Sequence, residues 1–157
     1  MKIIDANYRF VSPEEEELAT AFVRDGYVIR PVENVEALQS IRSLIVKTCA
    51  EYLTVSTVSD SEQFLNNIHT RISIEQLNDL RLYVFNQINE TSWLRAAYYA
   101  LAESSLHALV GNELVMQRRI NLSIQMPQDD SSLLPIHADV MDGDSPFEIV
   151  CWTPYVD

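Results

Sequence analysis

Through residues 1–112 the apolar positions fall three and four apart, the spacing of a helix face, and from residue 113 they fall two apart. Ser12, Pro13 and Glu15 mark the first helix start: Ser12 can cap, Pro13 fits the first turn, Glu15 completes a capping box, and the acidic run Glu14 to Glu17 complements the helix dipole. Leu18, Ala19, Phe22 and Val23 supply the predicted buried stripe, and Gly26 the stop. Residues 27–31 read as a short strand. Asn34 then caps a second helix with Leu38, Ile41, Leu44 and Ile45 on one side, and the small polar run 54–62 reads as a loop. Ser73 with Gln76 opens a third helix that runs to about Asn89. Thr91 begins a fourth, which holds Trp93, Leu94, Ala97, Tyr98, Leu101 and Leu109 and ends at Gly111.

The change of period at Glu113 is the most informative feature of the pattern. In residues 114–126 the even positions Leu114, Met116, Ile120, Leu122, Ile124 and Met126 are apolar, with Arg118 the exception, so one face of a strand can lie against the helices. The odd face carries Gln117, Arg119, Asn121, Ser123 and Gln125. Such a face suits solvent, or the interior of a sheet that curls around a polar ligand. Further strands are predicted at 134–140 and 147–156, separated by turn-rich connections. Helices followed by strands predict an α+β fold in one domain over 1–157, mainly helical over 1–112.

Composition narrows the function. At 157 residues, 47% hydrophobic and 22% charged, the chain is long enough and apolar enough to fold around a core. A formal charge of −12 argues against nucleic acid and anionic membrane partners, because phosphate binding needs a basic surface. No apolar run approaches the roughly 20 residues that span a bilayer, and the N-terminus lacks the pattern of a signal peptide, so the expected setting is the cytoplasm. Cys49 and Cys151 share no CxxC spacing and read as buried thiols.

Of three histidines, only His137 stands in a spacing with evident chemistry, His137-Ala138-Asp139. Residues two apart on a strand share a face, so imidazole and carboxylate can converge on one ion. That donor set suits iron(II), with positions left open for a third ligand, a co-substrate and oxygen. His69 and His107 precede the triplet in helical pattern and read as structural or surface residues. Trp152 reads either as a core residue or as the wall of a pocket.

Three segments resemble the phytanoyl-CoA dioxygenase-like superfamily of iron(II), 2-oxoglutarate-dependent oxygenases: FVRDGYVIRPV is similar to its early helix-to-strand segment, LPIHADV to its metal strand and FEIVCWTPYVD to the next barrel strand. The stretch from Ile120 to Asp157 is similar in particular to oxygenases of bacterial surface-carbohydrate gene clusters. The resemblance implies helices packed on an incomplete double-stranded β-helix (jelly-roll, cupin-like) sheet, with His137 and Asp139 as two members of a two-histidine, one-carboxylate iron(II) triad. It implies 2-oxoglutarate as co-substrate, with Asn121, Ser123 or Gln125 contacting it or hydrogen-bonding a metal ligand, and a small polar substrate such as a sugar or sugar nucleotide. The family's third ligand and its 2-oxoglutarate-binding Arg or Lys lie further downstream and have no counterpart in this chain, so the chain reads as an N-terminal portion, inactive or incomplete by itself. Its last apolar strand would leave an open edge, which predicts a homodimer through that edge. The rival reading is a non-catalytic helical binding domain in which the His-Asp pair is structural; a metal-assisted hydrolase lacks the HExxH or nucleophile-elbow motif it would need.

Overall fold

The computed structural model describes residues 10–130, 135–137, 139–145 and 147–156. Six helices follow one another: α1 (Pro13–Asp25), α2 (Val35–Tyr52), α3 (Ser61–Asn66), α4 (Ile74–Asn89), α5 (Leu94–Tyr99) and α6 (Glu103–Val110), with single 3-10 turns at Ile68–Thr70 and Asp139–Asp142. The caps read from sequence set the boundaries. Ser12 and Glu15 exchange the two hydrogen bonds of a capping box, at 2.7 and 3.2 Å, and Gly26 closes α1 at φ 79°, a left-handed conformation that costs glycine little. The Asn34 side chain accepts from the Ala37 amide at 2.9 Å at the start of α2, and the Ser73 amide donates to Gln76 Oε1 at 3.3 Å at the start of α4.

α2 is the centre of the helical layer, packing against α3, α4 and α5. Its buried positions Ile41, Ile45 and Cys49 recur every four residues and meet Leu77, Leu80, Val84 and Ile88 of α4, with Phe64, Leu65, Leu94 and Leu101 closing the core. Each fully buried Leu or Ile contributes about 1.5–3 kcal/mol, so this face carries most of the stability. α1 buries only Leu18, and Val23, expected in its apolar stripe, is exposed. α1 packs on α6, beside the acid that ties the α1–α2 connection to α6. There the Glu33 carboxylate accepts from the amides of Ser104 and Ser105, at 2.8 and 3.0 Å, and from the Ser105 hydroxyl at 2.8 Å.

The expected α+β fold is not what forms. Among the described residues there is no strand and no sheet, so neither a double-stranded β-helix nor any part of one is present. Residues 27–31 carry no ladder, the segment expected as the metal strand, of which 134 and 138 lie outside the described residues, enters a 3-10 turn at Asp139, and 147–156 begins in a turn and has no strand partner among the described residues. An open strand edge that would pair two copies is therefore not formed there. The predicted fourth helix is also two, broken at Ala100 to Ala102 into α5 and α6.

The alternation after Glu113 is nonetheless real. Every odd residue from Gln117 to Gln125 is exposed, while Met116, Ile120, Leu122, Ile124 and Met126 turn toward the helices. Period two reports which side of an extended chain faces a core; it carries no information on whether a second strand lies alongside. Here helix side chains satisfy the backbone instead. Asn89 at the end of α4 bonds both groups of Ile120, its Nδ2 donating to the carbonyl at 3.0 Å and its Oδ1 accepting from the amide at 2.8 Å. Arg81 donates to the Ile124 carbonyl through Nε at 2.8 Å and also through Nη2, and Arg95 donates to the Met116 carbonyl at 3.0 Å. Arg119 answers from the extended side, over the Phe85 ring and onto Asn86. No helix among the described residues is long and apolar enough to cross a membrane.

Removing the Asn89 amide leaves two backbone groups of a buried residue without their partner, so Asn89→Ala is expected to cost about 1–3 kcal/mol in urea unfolding. Asn89→Asp keeps an acceptor but loses the donor and should not restore it. A change below about 0.5 kcal/mol for both would remove the clamp from the account. At Glu33, burial raises the carboxyl's pKa, but the hydrogen bonds from Ser104 and Ser105 outweigh it and hold the group below the usual carboxylate range. A depressed folded value stabilises above the unfolded pKa of about 4.3 and is lost as pH falls through the folded one. Glu33→Gln should therefore be less stable than wild type at pH 7, by a few tenths to about 1 kcal/mol after solvent screening, with the gap closing as the pH falls through the lowered folded pKa.

Candidate functional site

Asp139 opens the 3-10 turn Asp139–Asp142, and there the two side chains of the His-Asp pair meet. His137 Nε2 lies 3.2 Å from Asp139 Oδ1, and the side chains are 39% and 45% exposed. The convergence expected from a strand is thus delivered by a turn. On the other side of the ring, Nδ1 stands 2.7 Å from the Pro135 carbonyl oxygen. A carbonyl only accepts, so Nδ1 carries a proton. In a neutral imidazole Nε2 is then a bare lone pair facing a carboxylate. Two such groups at this distance call for a positive species between them: a proton on Nε2, or a cation.

The geometry fits a metal ion. Donors bound at about 2.1 Å on adjacent corners of an octahedron lie about 3 Å apart, close to the observed separation. A ring nitrogen that donates to a backbone carbonyl while the other faces the ion is the usual arrangement of a ligating histidine, since it fixes tautomer and ring orientation. Among the described residues no group of three or more His, Cys, Asp or Glu side chains gathers to hold a metal. The pair would supply two ligands of a set. His69 sits half-buried in the turn Ile68–Thr70, and His107 on α6 contacts the Tyr99 hydroxyl.

Asn121, Ser123 and Gln125 belong to a different place. They border a cavity of about 250 Å³ between the helical layer and the two extended segments, whose floor is Ile41, Ile45, Cys49, Ile88 and Leu94. Residues 152–156 form its opposite wall, and neither His137 nor Asp139 lines it. The sequence placed the polar row and the His-Asp pair in one site; the structure separates them, because the extended segments do not close around a common interior. Trp152 walls this cavity while remaining 75% exposed, so it is no core residue. Sequence reading missed the cavity itself, as well as Tyr98, whose hydroxyl donates to the Cys151 carbonyl at 2.7 Å and holds the last segment against α5. Tyr98 was legible only as one more apolar helix position.

Burial pushes the Cys49 thiol up to about 12 and raises Cys151 less far. The thiolate is the reactive form, so both should resist alkylation. A maleimide at pH 8 should modify half-buried Cys151 first and leave Cys49 intact until the protein is unfolded in urea; mass mapping showing Cys49 modified first would contradict its place in the core.

No protein-family model, curated protein or solved structure matches this chain.

Proposed function

We propose that the chain carries two metal ligands of an iron(II), 2-oxoglutarate-dependent oxygenase of the phytanoyl-CoA dioxygenase type, His137 through Nε2 and Asp139 through its carboxylate. The observation that carries the reading is the 3.2 Å approach of these two donors with Nδ1 committed to the Pro135 carbonyl. Resemblance of LPIHADV and FEIVCWTPYVD to the family's segments supports it independently of that geometry. Iron(II) with 2-oxoglutarate, when bound, supplies the activation of oxygen that oxidises a C–H bond of a substrate. The chain's own part is narrower. Asp139 contributes charge, His137 a neutral donor, and Pro135 the carbonyl that holds the ring's tautomer. The remaining ligands come from outside this pair. The setting that accompanies this reading is cytoplasmic, with a small polar substrate of the sugar or sugar-nucleotide class and no nucleic acid or membrane partner. Asn121, Ser123 and Gln125 lie along the cavity rather than beside the pair, so a 2-oxoglutarate contact from them would require the two places to be brought together.

A second reading has an observation of its own. Both ring nitrogens of His137 already face partners within the chain, Pro135 and Asp139, which is what a structural pair in a non-catalytic helical binding domain would show.

Anaerobic titration with iron(II), followed by calorimetry, separates the two. Half-exposed ion pairs add little to stability, so His137→Ala and Asp139→Ala should fold as wild type does, with a matching far-ultraviolet spectrum. The oxygenase reading expects saturable binding that weakens at least about tenfold in either variant. Equal affinity in all three proteins, or no saturable binding in any, leaves the structural pair as the function of these residues.

A further inference from the structure

We propose that the cavity beneath the extended segments is a binding site for a neutral, mainly apolar small molecule bearing one hydrogen-bond acceptor. It is distinct from the His137–Asp139 pair and does not depend on the oxygenase reading.

Folded interiors are packed as tightly as organic crystals and leave few voids larger than a water molecule. The space of about 250 Å³ over the core residues Ile41, Ile45, Cys49 and Ile88 opens to the surface and is a place where that packing is left incomplete. Its cause is visible in the fold. Residues 120–125 and 152–156 are each fastened to the helices, by Asn89 and Arg81 on one side and Tyr98 on the other, and no strand bonds bring them together. What remains between them is a slot with an apolar floor.

Charge selects the occupant. In a chain with 22% charged residues, none of the described residues that line the cavity is Lys, Arg, Asp, Glu or His. A carboxylate or ammonium group would lose its hydration there with no countercharge to replace it. Cys49 offers none either, since burial keeps its thiol protonated. A neutral acceptor fares better. Tyr155, on the cavity wall, has a buried hydroxyl with no hydrogen-bond partner among the described residues, so the wall has a donor to offer a carbonyl. Size follows from volume: benzene occupies an engineered apolar cavity of about 150 Å³, which scales to about ten non-hydrogen atoms in this one.

Trp152, on the cavity wall, is one of two tryptophans, so Trp93→Phe makes it the sole fluorescent reporter. The probes are 2-nonanone and its charged counterpart octanoate, which has the same number of non-hydrogen atoms. The expected result is a saturable shift of Trp152 emission with 2-nonanone at about 0.1–1 mM, and binding of octanoate at least tenfold weaker. Filling the cavity with Cys49→Leu should weaken 2-nonanone at least fivefold. Leu122→Phe, on the half-buried wall, does the same and stands in should the core substitution unfold the protein. The proposal is overturned by any of three outcomes: no saturable shift up to the solubility limit of 2-nonanone, octanoate bound as tightly as the ketone, or unchanged affinity in the folded cavity-filling variants.

Discussion

An extended chain that buries one face must still satisfy its backbone donors and acceptors, and in this protein helix side chains meet that demand where a neighbouring strand would be expected. Asn89 is the clearest instance, since its amide presents to Ile120 the same donor and acceptor that a strand residue would. Arg81 and Arg95 extend the arrangement to the carbonyls of Ile124 and Met116. Without these contacts the amide and carbonyl of Ile120 and the carbonyls of Ile124 and Met116 would lose their partners beside an apolar layer, at a cost that offsets much of what burial gains. The docked segment in turn covers the core that α2 and α4 share, so the layer and the segment complete each other.

The helical half was legible because its signals are local. Ser12 with Glu15, Asn34, Ser73 with Gln76, Gly26 and Gly111 all act within one turn of themselves, and all bound helices where the sequence placed them. The break at Ala100 to Ala102 was not legible: alanines favour helix, and it is the amide of Glu33 on the Leu101 carbonyl, with its carboxylate on Ser104 and Ser105, that starts α6 afresh. The sheet was over-read for a related reason. Alternation correctly assigned the residues from Met116 to Met126 to their faces, apart from the exposed Arg118, but the partner of that segment is a helix 31 positions earlier in the chain at Asn89. Asn89, Arg81 and Arg95 look in sequence like solvated positions on polar helix faces, and nothing local distinguishes them.

The site divides in the same way. Two donors one residue apart are a local feature, and their convergence survives the replacement of a strand by a 3-10 turn, because either geometry can bring positions 137 and 139 together. The grouping of that pair with Asn121, Ser123 and Gln125 was an inference about closure of a sheet, and it went with the sheet. The cavity arises from two long-range attachments, Asn89 to Ile120 and Tyr98 to Cys151, and neither is written in the spacing of any motif.

The bond pair between Asn89 and Ile120 also fixes alignment. In an extended chain the backbone groups of successive residues point to opposite sides, so a slip of one position would turn the donor and acceptor of residue 119 or 121 away from the amide and expose every apolar side chain. The nearest allowed alternatives lie two positions off. One places Arg118 in the buried seat of Ile120; the other moves Gln128 into that of Met126. Arg118, the one departure from the apolar row, thus excludes a competing alignment by being where it is.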